Sequence, residues 1–132
     1  MRVLIVEDDP GIALLYKTYL SNYGECDLAT NGLKAVTIFE KSIKENKPYD
    51  LICLDILMPV MCGREALKKI REIEDKHGVI GLEGVKVVMI TALSDSKNII
   101  GSFFDQCEAY LVKPIEKHHF CKVINDLGLA CD

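Results

Sequence analysis

No apolar run in this chain approaches the roughly eighteen residues needed to cross a bilayer, so no membrane-spanning helix is expected. The opening stretch Val3-Leu4-Ile5-Val6 is too short for a secretory leader. Glu7-Asp8-Asp9 follows it at once, which excludes that reading. Lys and Arg are outnumbered 16 to 20 by Asp and Glu and nowhere cluster, so direct nucleic-acid binding is not expected. None of the six cysteines (26, 53, 62, 107, 121 and 131) belongs to a Cys-x-x-Cys pair, so a zinc knuckle or thioredoxin-type motif is absent. With no export signal, the cysteines are expected as reduced thiols in the cytoplasm, Cys53 and Cys121 packed as small hydrophobes. Internal repeats, low-complexity tracts and interdomain linkers are also missing. The 132 residues are therefore read as one domain, 1–132, with too little chain after Leu127 for an appended one.

What is present is a soluble-protein composition, 49% hydrophobic and 27% charged. Four short runs rich in Val, Ile and Leu (Val3–Val6, Leu51–Leu54, Val87–Ile90 and Ala109–Val112) are apolar at every position, as parallel strands covered on both faces require. A weaker fifth strand is expected around Cys26–Thr30. Between the runs, apolar residues recur at helical spacing. The first stripe holds Ile12, Leu15, Tyr16, Tyr19, Leu20 and Tyr23, the second Ala35, Val36, Phe39 and Ile43, and the third Ala66, Leu67, Ile70 and Ile73. Ile99, Ile100, Phe103 and Phe104 form a fourth, and Phe120, Val123, Ile124 and Leu127 a fifth. Five strands alternating with five helices give an α/β domain with a parallel sheet. Asn31-Gly32 separates the second strand from its helix, Lys47-Pro48 is expected to end that helix, and glycines 78, 81 and 84 mark an irregular connection over 77–85.

Ligands of such sheets bind where loops leave the carboxyl ends of the strands. Those ends carry Glu7, Asp8 and Asp9, then Asp55, then Thr91-Ala92, then Lys113-Pro114. Singly each has an ordinary structural role: Asp9 before Pro10 suits a helix N-cap, and Asp55 alone would be a loop carboxylate. Jointly they are a phosphoryl-transfer set. Clustered carboxylates repel unless a cation bridges them, and hard oxygen donors suit Mg²⁺, with Mn²⁺ the alternative. Asp55 then becomes a nucleophile able to form an aspartyl-phosphate, while Thr91 and Lys113 serve the phosphoryl oxygens.

The segments Val6-Glu7-Asp8-Asp9, Leu54 to Gly63 with its Asp55 and Met58-Pro59, the pair Thr91-Ala92, and Tyr110-Leu111-Val112-Lys113-Pro114 together resemble the receiver domain of two-component response regulators, in the family's order and over residues 2 to about 127. The resemblance implies a flavodoxin-like three-layer (βα)5 fold with strand order 2-1-3-4-5. It implies Glu7 and Asp8 as the acidic pair, Asp8 being the direct metal ligand, and Asp55 as phosphoacceptor and ligand. The backbone carbonyl of Leu57 would complete the protein's metal ligands. Thr91 is the phosphate-sensing hydroxyl, Lys113 the lysine that precedes a cis proline, and Tyr110 the aromatic that turns inward with Thr91. The phosphodonor would be a histidine kinase or histidine phosphotransfer protein. The output would be a downstream protein bound through the fourth helix, fifth strand and fifth helix. Turnover would be limited to self-phosphotransfer and autodephosphorylation. The latter is expected to be slow, because Leu57 and Leu93 flank the water's approach and neither can orient it.

Three positions depart from the family pattern. Gln106 stands where glycine is usual, the 77–85 connection is long, and Cys62 replaces a common acid. A haloacid-dehalogenase-type phosphatase needs a second acid where Leu57 stands. A flavodoxin's flavin phosphate would be repelled by Glu7-Asp8-Asp9. The remaining alternative is a degenerate receiver acting only as an interaction module, which would usually have lost Asp55 or Lys113. Neighbouring His118 and His119 point about 100° apart on a helix and make a poor metal pair. His77, beside Gly78, is unlike a helical phosphodonor histidine. A stand-alone regulator without an output domain is the expectation.

Overall fold

The computed structural model describes residues 1–79, 84–92 and 107–129. Within them run β1 (Arg2–Val6), α1 (Pro10–Tyr19), β2 (Glu25–Ala29), α2 (Gly32–Lys44), β3 (Leu51–Asp55), α3 (Gly63–Lys76), β4 (Lys86–Thr91), β5 (Ala109–Val112) and α4 (Lys117–Asp126). The strands form one sheet in the order β2-β1-β3-β4-β5, every neighbouring pair parallel. The fourth apolar stripe, Leu93 and Gln106 lie outside the described residues, as does part of the 77–85 connection.

Alternation along the central strands divides the core in two, because successive side chains leave opposite faces of a sheet. Leu4, Val6, Ile52, Leu54, Val87 and Met89 pack under α2 and α3 against Phe39, Leu67 and Ile70. Val3, Ile5, Leu51, Cys53, Val88 and Ile90 pack under α1 and α4 against Tyr16, Leu20, Phe120 and Ile124. Helix caps fix the loops at the strand ends. Asp9 takes the N–H groups of Gly11 and Ile12, and Asn31 takes that of Lys34.

Several sequence expectations shift in detail. Leu15 is 45% exposed, since Ala13, Tyr16 and Leu20 hold the buried face of α1 and leave Leu15 on its flank. Helix α2 stops at Lys44, four residues before Pro48, and Asn46 just beyond its cap turns left-handed (φ 57°). Among the described residues β5 is an edge strand in which Leu111 is buried and Ala109, Tyr110 and Val112 are half-buried. Cys53 is buried as expected, and Cys121, half-buried, packs against the core beneath α1 and α4 with its thiol against the Tyr19 carbonyl.

Candidate functional site

Backbone contacts at the strand ends place Glu7, Thr91, Lys113 and the residue that follows Asp55. The N–H of Glu7 donates to Ala29 at 3.0 Å, that of Ile56 to Ile90 at 2.9 Å, and that of Lys113 to Thr91 at 2.8 Å. The loop after Asp55 folds back so that the Gly63 N–H reaches the Ile56 carbonyl at 2.8 Å. A side chain at Gly63 would collide with the Asp55 carbonyl, so a glycine lets α3 start directly against the strand end. Val60 in this loop has φ 71° and is 75% exposed, a conformation a β-branched residue rarely adopts. The Lys113–Pro114 peptide is cis.

The side chains converge. Lys113 Nζ lies 2.8 Å from Asp55 Oδ2 and 3.3 Å from Glu7 Oε1. The other Asp55 oxygen accepts the Leu57 N–H at 3.1 Å. Oxygens from Glu7, Asp8 and Asp55 all lie within 4.8 Å of one another. Glu7, Asp55 and Thr91 are buried, while Asp8 is exposed. Among the described residues Thr91 Oγ1 reaches the Ala92 carbonyl, at 3.3 Å. The carboxylate of Asp9 is taken up by the α1 cap. Tyr110 is half-buried, packed against the core beneath α2 and α3. The site thus unites Glu7, Asp8, Asp55 and Lys113 by direct geometry, with Thr91 at the adjoining strand end.

One ammonium faces three carboxylates, and the imbalance shows in their proton affinities. Burial, then the hydrogen bond and charge of Asp55, push the Glu7 carboxyl up to about 8 against the opposing pull of Lys113. Burial disfavours the Lys113 charge, but the hydrogen bond and charge of Asp55, with Glu7 behind it, outweigh burial and hold the ammonium above its ordinary value. Glu7 Oε2 is buried with no hydrogen-bond partner among the described residues. An orphaned buried carboxylate oxygen is costly, and a cation seated between Glu7, Asp8 and Asp55 would satisfy it. The all-oxygen donor set fits a hard divalent ion.

The sequence does not announce the Glu7–Lys113 pair or the Leu57 N–H on Asp55. The first follows from parallel register: Val6 lies beside Leu54 and Thr91 beside Val112, which brings the loops from β1, β3 and β5 to one edge. The second is a local turn, the Asp55 carboxylate taking the N–H two residues on.

A family model for the response regulator receiver domain matches residues 3–125. The regulatory protein VanRB of Enterococcus faecalis is 32% identical over 128 residues, covering 96% of this chain and 52% of that protein; the chain thus spans about half of that relative's length. The co-crystal structure of the Saccharomyces cerevisiae histidine phosphotransfer signaling protein Ypd1 with the receiver domain of its downstream response regulator Ssk1 contains a chain that superposes with TM-score 0.80. That match has 30% identity and covers 97% of this chain and 88% of that one. TrrA from Thermotoga maritima, in complex with Mg(2+)-BeF, superposes with TM-score 0.74 at 30% identity, over 96% of this chain and 97% of that one. No helix among the described residues is long and apolar enough to cross a membrane.

Proposed function

Because the chain belongs to the response regulator receiver family of two-component signalling, we propose that it accepts a phosphoryl group from a phosphohistidine onto Asp55 and thereby switches a protein-binding surface. The observation that carries this reading is the convergence of Lys113 Nζ, Asp55 and the Glu7–Asp8 pair at one sheet edge. In the transfer, an Asp55 oxygen attacks phosphorus in line with the histidine nitrogen. The P–N bond breaks and its electron pair returns to the imidazole. Lys113 neutralises charge on the acceptor and phosphoryl oxygens, and the Thr91 hydroxyl donates to another. The Glu7, Asp8 and Asp55 carboxylates with the Leu57 carbonyl would hold Mg²⁺, or Mn²⁺, which when bound supplies positive charge to the transferring group.

The donor is a histidine kinase or histidine phosphotransfer protein. The Ssk1 receiver, co-crystallised with Ypd1, offers a parallel. Output runs through β5 and α4 together with the segment bearing the fourth apolar stripe, to a downstream protein rather than to nucleic acid, in the cytoplasm. Intact mass after incubation with acetyl phosphate and Mg²⁺ tests the reading: one phosphoryl group is gained by the wild type and none by Asp55→Asn. Gain by the asparagine variant overturns the assignment of Asp55. No gain by the wild type favours a phosphorylation-independent interaction module.

A further inference from the structure

Lys113 must sit at Asp55, yet the strand that delivers it has little burial to hold it. β5 is four residues long, pairs on one side only and buries Leu111 alone. Its site end is tied by the Lys113 N–H to Thr91. Its other end is closed by Glu108 in both directions. The Glu108 N–H donates to the Val87 carbonyl at 2.9 Å, and its carboxylate accepts the Val87 N–H at 2.6 Å. That carboxylate is in turn held by Arg71 Nη2, at 3.1 and 3.2 Å to its two oxygens. Arg71 Nη1 reaches Glu74 at 2.7 Å and the Val85 carbonyl at 2.9 Å, and Glu74 takes the Val85 N–H at 2.7 Å.

Arg71 belongs to α3, the helix whose first residue, Gly63, is bonded to the loop after Asp55. Eight residues of helix, about 12 Å, separate these two attachments. One rigid element therefore contacts the acceptor loop at its N-terminus and the entry of β5 further along.

We propose that Arg71 and Glu108 are positioning residues for phosphoryl transfer: the pair references β5 to α3 and so fixes where Lys113 Nζ meets Asp55. The inference rests on the reading of Asp55 as phosphoacceptor. It goes beyond that reading by assigning a role to charged groups at the opposite end of the sheet. A displacement of about 1 Å at reacting groups can cost about a hundredfold in rate, so a small slackening of β5 is enough to register.

The experiment is a double-mutant cycle on the rate of phosphorylation by acetyl phosphate at saturating Mg²⁺, with Mg²⁺ affinity measured separately by calorimetry. Glu108→Ala is expected to lower the rate about tenfold with Mg²⁺ affinity unchanged. Glu108→Gln keeps the shape and an acceptor, and should restore most of the rate. In a Lys113→Met background, Glu108→Ala should cost nothing further, because the group it positions is gone. Amide hydrogen exchange at Lys113 should quicken in Glu108→Ala. A wild-type rate in Glu108→Ala, or an equal loss in the Lys113→Met background, overturns the proposal. If the wild type takes no phosphate, the reading of Asp55 fails instead, and the exchange measurement alone decides: unchanged protection at Lys113 overturns the inference.

Discussion

Leu57 gives its N–H to Asp55 at 3.1 Å while its side chain stands 59% exposed at the rim of the site. An apolar group there can neither orient nor activate a water in line with a phosphoryl group on Asp55, so the aspartyl-phosphate should be long-lived. Leu57→Asn adds a hydrogen-bonding side chain without disturbing the backbone N–H, and is expected to speed phosphate loss about tenfold, equivalent to about 1.4 kcal/mol. Phosphate release measured after removal of donor checks this; an asparagine variant no faster than wild type refutes it. Glu7 is where the sequence says least. Its acid character is plain, but its burial, its orphaned oxygen and its pairing to Lys113 arise only when three loops meet. Asp55 and Lys113 are legible because each follows a short apolar run directly. The contacts between them are not, because they span 58 residues of chain.

At the scale of elements, the acidic triplet divides cleanly between chemistry and architecture. Asp9 caps α1 through two backbone N–H groups, whereas Glu7 and Asp8 face Asp55. Asp9→Ala should therefore cost about 1 kcal/mol of stability and leave Mg²⁺-dependent phosphorylation intact. Urea unfolding and intact mass on the same variant separate the two effects, and a loss of phosphorylation in a folded variant would place Asp9 in the site. The central strands were legible because total burial leaves an unbroken apolar run. The edge strand β2 is harder to read, since its half-exposed pattern admits Glu25 and Asp27, whereas the edge strand β5 keeps a legible run, Ala109–Val112. The end of α2 was misplaced because Asn46, not Pro48, supplies the left-handed turn. Asparagine adopts that conformation more readily than most residues, a signal that proline overshadowed.

For the whole molecule, two outcomes test whether the site and the sheet act together. Three carboxylates against one ammonium strain the metal-free fold, and binding that favours only the folded state stabilises it by mass action. Mg²⁺ at a hundredfold above its Kd should add about 2.7 kcal/mol, raising Tm, and Asp8→Asn should abolish the rise. Equal melting of wild type and variant with and without Mg²⁺ would remove the cation from the account. The second outcome concerns direction. Thr91 and Tyr110 lie on neighbouring strands, β4 and β5, with Met89 opposite Tyr110, and β5 leads through Lys113 into α4. On the proposed reading, a phosphoryl group that draws the Thr91 hydroxyl inward would vacate space beside this edge for the half-buried Tyr110 to enter. Packed elements of this kind move between discrete arrangements rather than deform smoothly. Driving such an element from mostly one arrangement to mostly the other takes about 5.5 kcal/mol, within reach of several charge-assisted hydrogen bonds to a new phosphoryl group. Amide shifts on adding a beryllofluoride phosphate mimic with Mg²⁺ should therefore extend through Tyr110 into α4 and spare β2 and the part of α2 that packs on it, at the opposite edge of the sheet. Shifts confined to the neighbourhood of Asp8 and Asp55, or spread evenly over both edges, would refute a switch that runs along β4 and β5.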